Sequence, residues 1–299
     1  MPLLSDISAA DYYADNLPGS PLLSQSIAHQ LINHSPAHAF LAHPKLGGKP
    51  ITATREMEKG TIIHDMLLND GKLDGIEILQ YENFRTKAAQ EERDLVIDMG
   101  KMPILEKDYH ELTQAAQWIR SRFQDLKIDL HAENAEQVVT WEERTDKGES
   151  VQCKGKLDHA YPSWTGFYID DLKTCSSAHP KSIQRSLFDY GYVIQHAAYT
   201  SAIEKIYPEA IGRVRFRFIF VELSPPYSVT PVVLNGSAAA VGRSQWRRAV
   251  NTWAECLKTG VWPGYVEETY RAEAPIWQIK DELDKSPVTA ELSQFLEGN

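Results

Sequence analysis

Between residues 106 and 126, apolar side chains return every three or four positions: Leu112, Ala115, Ala116, Ile119 and Phe123. That spacing predicts an amphipathic helix. Ser24 to Leu41 has the same period but breaks at Ser35-Pro36. Proline suits the first turn of a new helix, so a helical hairpin is expected there. Residues 43–60 read as a polar loop, and Thr61 to Leu68 as a buried helix carrying His64 among apolar neighbours. Residues 69–105 read as an irregular excursion with a short helix around Tyr81–Asp94. From Ala135 the period shortens to two, the mark of a strand. Ala135–Trp141, Val151–Leu157 and Phe167–Lys173 read as a three-strand meander, with turns at 143–150 and around Pro162 and Gly166. Ser182 to Tyr207 reads as one long helix ended by Pro208. Gly212–Leu223 alternates strictly, with Val214, Phe216, Phe218 and Phe220 on one face and Arg213, Arg215 and Arg217 on the other. Ser228–Leu234 reads as a further strand and Ser237–Lys258 as a helix. Extended packing at Trp262–Tyr265 and Pro275–Trp277 follows, then a short polar helix. The expectation is one domain over 1–299, mainly helical to 130, with a sheet core over 131–260 and a tail over 261–299.

At 299 residues, 42% hydrophobic and 24% charged, the chain can bury a substantial core. No apolar run approaches the roughly 18–20 residues that span a bilayer. The N-terminus lacks the basic-then-apolar order of a signal peptide. Three scattered cysteines, Cys153, Cys175 and Cys256, suggest reduced thiols and a cytoplasmic protein. The net charge of −10 argues against a generally basic nucleic-acid binder. Its distribution changes that picture: residues 150–260 hold thirteen Lys and Arg against eight Asp and Glu, a local excess of five positive charges. The strand arginines form either a solvated edge or a phosphate-facing stripe, and Arg243, Arg247 and Arg248 add to it from a helix.

The chemistry concentrates in Gly155-Lys156-Leu157-Asp158 and Asp171-Leu172-Lys173. In an extended chain, residues two apart share a face, so Asp171 and Lys173 stand side by side. If the two strands pair, with the first ending at Asp158, its carboxylate reaches the same spot. Two carboxylates beside an ammonium make a hard-cation site, and oxygen ligands select magnesium or manganese over zinc. Such sites serve phosphodiester cleavage. Truncating either acid would relieve like-charge repulsion, so stability without metal is expected to hold or rise. Downstream, Gln195 and Tyr199 are four apart on one helix face.

The order is then a helix with His64, a strand with Glu136, Gly-x-x-Asp158, Asp171-x-Lys173 and Gln195-x-x-x-Tyr199. This set resembles the PD-(D/E)XK nuclease superfamily, in the branch shared by RecB-type nuclease domains and RecE-type exodeoxyribonuclease VIII. The likeness to phage RecE-like exonucleases also covers Ser35-Pro36-Ala37-His38, Gly60…His64…Leu68, Glu136…Trp141 and Trp262-Pro263-Gly264-Tyr265, and so spans nearly the whole chain. It implies an α/β fold with a restriction-endonuclease-like core, a mixed central sheet flanked by helices and a helical N-terminal elaboration. It implies two Mg²⁺ ions, with Mn²⁺ as substitute: Asp158, Asp171, the Leu172 carbonyl and His64 around one, and Glu136 on the second or its water. His64 could equally be a core histidine. Lys173 would orient or deprotonate the attacking water and steady the pentavalent phosphate. Gln195 and Tyr199 would hydrogen-bond Lys173, a metal-bound water or the DNA backbone. The resemblance further implies 5′-to-3′ digestion of double-stranded DNA from its ends, a RecT-like single-strand annealing partner, a ring-like trimer or tetramer, and a phage or prophage origin in a bacterial host. A structure-specific or restriction-type endonuclease, or a catalytically silent DNA-binding module, are the competing readings.

Overall fold

The computed structural model describes residues 7–48, 55–69, 75–266 and 268–285. They fall into two compact units that divide after Trp262. The first opens with the helices α1 (Ala9–Tyr13), α2 (Gln25–Asn33), α3 (Pro36–Ala42) and α4 (Arg55–Leu68). A parallel pair, β1 (Ile76–Leu79) and β2 (Met102–Leu105), brackets α5 (Lys87–Asp98), and α6 (Glu106–Leu126) follows. The main sheet and its helices come next: β3 (Ala135–Arg144), β4 (Ser150–Ser163), β5 (Gly166–Cys175), α7 (Pro180–Asp189), α8 (Tyr192–Ile206), β6 (Val214–Glu222), β7 (Val229–Val232) and α9 (Gly236–Thr259). The second unit carries α10 (Ile276–Lys285). Among the described residues, no helix is long and apolar enough to cross a membrane.

The five main strands lie in chain order, antiparallel except for the parallel β5–β6 pair. That pair needs a long crossover, and α7 and α8 supply it. One sheet face packs Val139, Trp141, Leu157, Ile169, Phe216, Phe218 and Phe220 against α2, α8 and α9. The other packs Leu172, Ile219 and Val221 against Ile62, Ile63 and Met66 of α4 and Leu112, Ala115 and Ile119 of α6. This is a mixed α/β fold with helices on both faces.

Several expectations are corrected by local physics. The polar loop at 43–60 ends early, because α4 already begins at Arg55; residues 49–54 lie outside the described residues. The excursion at 69–105 holds β1 and β2, each too short to show alternation, and its helix begins six residues and ends four residues later than expected. β4 does not end at Asp158 but runs to Ser163, and Pro162 pairs with Phe167 inside it. Proline is tolerated there because β3 has already ended, leaving that side of β4 as a free edge. The helix expected over 182–207 is two helices. Gly191 divides them with a left-handed φ of +69°, and a Cβ at this position would lie 2.4 Å from the His29 ring. The segment at Pro275–Trp277 is not extended: Pro275 accepts from the Ile279 amide at the start of α10. The final residues, 286–299, lie outside the described residues.

A single carboxylate ties the sheet to its helices. Buried Glu143 on β3 accepts the indole N–H groups of Trp141 (3.0 Å) and of Trp246 on α9 (3.1 Å), and the hydroxyl of Ser201 on α8 (2.6 Å). Lys205 of α8 stands 3.2 Å from its other oxygen. Burial pushes this carboxyl up, but Ser201, the two indoles and Lys205 outweigh burial and hold it below the usual carboxylate range. A carboxyl depressed in the folded state stabilises above its unfolded value, and that stability is lost as pH falls through the folded one. Glu143→Gln should therefore cost about 2 kcal/mol at neutral pH, and the deficit should shrink below pH of about 4. Thermal melts of both proteins across that range check it; a deficit that does not change with pH would remove the charge from the account.

Candidate active site

The site forms where two neighbouring strands part. The β4–β5 ladder runs from Ser163↔Gly166 to His159↔Asp170 and stops at the step where Asp158 would face Asp171. There a side chain replaces the backbone: the Leu172 amide donates to Asp158 Oδ2 at 2.8 Å. A strand residue's N–H and C=O point to the same side in an antiparallel pair, so the Leu172 carbonyl faces this gap as well. The distortion continues into β3. Glu136, level with Asp158, leaves the ladder between Ala135↔His159 and Gln137↔Leu157 and has a left-handed φ of +54°. A non-glycine residue in that region inside a strand stores strain, which gathers at functional sites.

Asp171 and Lys173 share the face that α8 covers, and Lys173 ion-pairs with Asp171 Oδ1. From α8, the Gln195 amide donates to Asp171 Oδ2 at 2.5 Å. The Tyr192 ring of the same helix lies 4.9 Å from the Lys173 ammonium. From α4, on the opposite side of the sheet, His64 Nδ1 approaches Asp158 Oδ2 to 3.6 Å. Helices from both faces therefore converge on one gap.

The electrostatics follow from burial. Burial and the facing Asp158 push the Asp171 carboxyl up to about 6, against the pull of Lys173. Burial raises Asp158 too, opposed by Lys173, the Leu172 amide and Lys156. Burial would lower the Lys173 ammonium, but Asp171 and Asp158 outweigh it and raise it above its ordinary value. Lys173 is thus a fixed positive charge. Burial, with Lys173 and Lys156 nearby, brings the His64 imidazole down to about 4, so it stands neutral beside a carboxylate. It is neither fully exposed nor sealed in the core.

The neighbouring acid Asp170 has a different task. It lies on the other sheet face, where Arg217 donates to it at 2.6 Å and His159 stands 3.5 Å away. Alternation along β5 thus separates a structural acid from the site acid. Glu136 ion-pairs with Lys156, which leaves it turned to a lysine rather than to Asp158 and Asp171. Tyr199 is 3% exposed, and its ring fills the space over Gly155, where a Cβ would come within 2.7 Å of Cε1. A bond from that phenol to the DNA backbone is closed off by burial; its part is to wall the site. Gln195 meets Asp171 rather than Lys173.

The six arginines do not join this gap. Arg215 and Arg217 pair in register with Tyr168 and Asp170, on the face away from Asp171 and Lys173. β7 pairs β6 only from Phe218 to Val221, so the arginine row lies on a stretch of β6 that has β5 as its one strand neighbour among the described residues, as the solvated-edge reading expects. Arg213 donates to the Glu209 carbonyl. On α9, Arg247 is held by Asp146 at 2.6 Å and the Arg144 carbonyl at 2.7 Å, while Arg243 and Arg248 are exposed. Sequence reasoning missed Tyr192, Lys156 and Asp65. Tyr192 stands one helical turn before Gln195, a spacing that could have found it. Lys156 lies inside the Gly-x-x-Asp motif, two residues before Asp158. Asp65, next to His64, is raised by burial and drawn down by Lys156.

Among the described residues, no three His, Cys, Asp or Glu side chains form a ready-made metal cluster. The donors nevertheless fit a hard divalent cation. Magnesium keeps most of its water and binds through one or two carboxylates. Asp171 is buried and Asp158 half-buried, the two carboxyls repel each other, and a neutral imidazole and the Leu172 carbonyl flank them. The residues that would hold such an ion are Asp158, Asp171, Leu172 and His64.

A mixed sheet with helices on both faces, two facing acids and a lysine where adjacent strands separate define a PD-(D/E)XK-like nuclease fold. The chain belongs to the family described as "PDDEXK-like domain of unknown function (DUF3799)", which it matches over residues 26–273. Among solved structures, a Eubacterium rectale protein that carries a provisional exonuclease designation shares the fold, with a TM-score of 0.61 at 13% identity, covering 91% of this chain and 97% of that one. SSO0001, also at 13% identity, covers 77% of this chain and 93% of its own with a TM-score of 0.26, too low to carry an argument. Comparison with curated proteins gives no match.

The Asp158–Leu172 contact revises the stability expected on truncation. Asp158→Ala leaves the Leu172 amide without its acceptor, a loss of about 1–3 kcal/mol. Asp158→Asn keeps an oxygen for that amide and removes the buried repulsion. Without metal, the melting temperature should therefore fall for the alanine variant and hold or rise for the asparagine variant. Equal melting temperatures for the two would contradict the role given to this bond.

Proposed function

We propose that this protein is an Mg²⁺-dependent exodeoxyribonuclease that digests linear double-stranded DNA from its ends, 5′ to 3′, and leaves a 3′ single strand for recombination by annealing. The observation that carries the hydrolytic reading is the convergence of Asp158, Asp171, Lys173 and Gln195 at the β4–β5 gap. End dependence and polarity are supported by the RecE-like order of motifs, and exonuclease action also by the designation of the Eubacterium rectale neighbour. When bound, a hard divalent cation supplies an activated water and charge for the leaving oxygen.

The chain's own groups have separable tasks in this reading. Asp158 and Asp171 hold the cation, and the Leu172 amide and Gln195 fix their carboxylates. Lys173, kept charged by both acids and backed by the Tyr192 ring, offers its ammonium to the phosphate as charge accumulates there. As the groups stand, it serves better as a fixed charge than as a base. The annealing protein, of RecT type, would receive the single strand, and a ring-like homo-oligomer would keep the enzyme on its track, in the cytoplasm of a bacterium that carries the phage or prophage.

Linear duplex labelled at either 5′ or 3′ ends, and a covalently closed circle of the same sequence, test the reading in Mg²⁺. The 5′ label should be released first as mononucleotide, and the circle should survive. Asp158→Asn and Asp171→Asn should each reduce release at least a hundredfold with folding retained, and Lys173→Ala should lower turnover more than metal affinity. Cleavage of the circle would replace the exonuclease reading with an endonuclease one. Full activity in either asparagine variant would move the site elsewhere.

A further inference from the structure

The sheet face opposite Asp171 carries a second arrangement of side chains, away from the gap. Register aligns two cross-strand rows there. One runs Tyr161, Tyr168, Arg215; the other runs His159, Asp170, Arg217. The second row is an ion-paired structural unit. The first is different in kind. The rings of Tyr161 and Tyr168 stack with centroids 5.3 Å apart and planes 8° from parallel. The Arg215 guanidinium lies 5.9 Å from the Tyr168 ring centre and has no carboxylate partner among the described residues. Both tyrosines are half-buried and Arg215 is exposed. At the tip of the same hairpin, Trp164 is 93% exposed. Two acids border this row: Asp170, bonded by Arg217, and Asp129, itself 3.1 Å from His131.

Aromatic rings interleaved with arginine suit unpaired bases and their phosphates, because every base has a face to stack and every linkage has a charge to meet. Duplex DNA hides its base faces and would gain only the charge. We propose that Trp164, Tyr161, Tyr168 and Arg215 form a stacking platform for single-stranded nucleic acid. The arginine supplies complementary charge, and the rings supply contact that does not depend on sequence. Tyr168 is three residues from Asp171 along β5, about 10 Å at strand rise, and on the opposite face, from which His64 of α4 approaches the gap, so a strand leaving the gap on that side reaches the platform within a few nucleotides. The source of that strand rests on the exonuclease reading; the binding itself does not.

Anisotropy of a labelled oligothymidylate, titrated with the full chain in EDTA, tests the platform alongside a blunt hairpin duplex. Trp164→Ala, Tyr168→Ala and Arg215→Gln should each weaken oligothymidylate binding about tenfold. Tyr168→Phe, which keeps the ring, should bind like wild type. Arg215→Gln should also reduce the slope of log affinity against log salt by about 0.7. Trp118→Ala, which removes an exposed indole on α6, should change nothing. Wild-type protein that fails to bind oligothymidylate overturns the inference. So does an equal loss for duplex and single strand, or variants that alter sedimentation of the protein and not its affinity. If Tyr168→Ala fails to fold, Trp164→Ala and Arg215→Gln decide the matter. Wild-type protein that binds oligothymidylate but fails to digest duplex in Mg²⁺ would sink only the nuclease reading.

Discussion

Everything in the candidate site depends on β4 and β5 failing to complete their ladder. Were the pairing to continue past His159, backbone groups would fill the gap and Asp158 would have no amide to accept. Instead the Asp158 carboxylate takes the place of a backbone carbonyl toward Leu172. A carboxyl is thereby held, half-buried, where its loss would orphan a main-chain donor. The same opening leaves Asp171 facing it and admits helices from both sides of the sheet. Burial is costly for two adjacent carboxyls, and Lys173, Gln195 and the Leu172 amide offset that cost only in part. The raised proton affinity of Asp171 records what is left over.

The two-residue period of β5 then sorts function from structure. Asp170 and Asp171 are chemically identical neighbours, yet one is neutralised by Arg217 on one face and the other meets Lys173 on the opposite face. The same sorting removes Arg215 and Arg217 from the face that carries Asp171 and Lys173. An acidic chain can keep a local positive stripe without placing it over its own site carboxylates, where it would compete for them.

Much of this was legible in the chain, for a physical reason. The helix at 106–126 and the alternation at 214–220 bury wide, regular faces, and so their periods survive in the sequence. The convergence of the acids, the lysine and Gln195 was legible because fixed spacing puts side chains on one face of a strand or helix. What stayed hidden was set by tertiary contact. β1 and β2 are four residues each, too short to alternate. The division of the crossover helix at Gly191 depends on His29, far away in sequence. The engagement of Glu136 by Lys156 depends on the break in the β3–β4 ladder, and the extension of β4 past Asp158 on its pairing with β5, which no local pattern announces.

Gly155 and Tyr199 belong to two motifs that look independent in one dimension. In three they are a single shape: the ring of one occupies the space in which the other has no side chain. The glycine of Gly-x-x-Asp is therefore a steric requirement set by a helix of the crossover, rather than part of the chemistry proposed for Asp158. Across related chains the two positions should covary. A lineage that acquires a side chain at 155 would be expected to carry something smaller than tyrosine at 199, and a lineage that keeps the tyrosine is held to glycine.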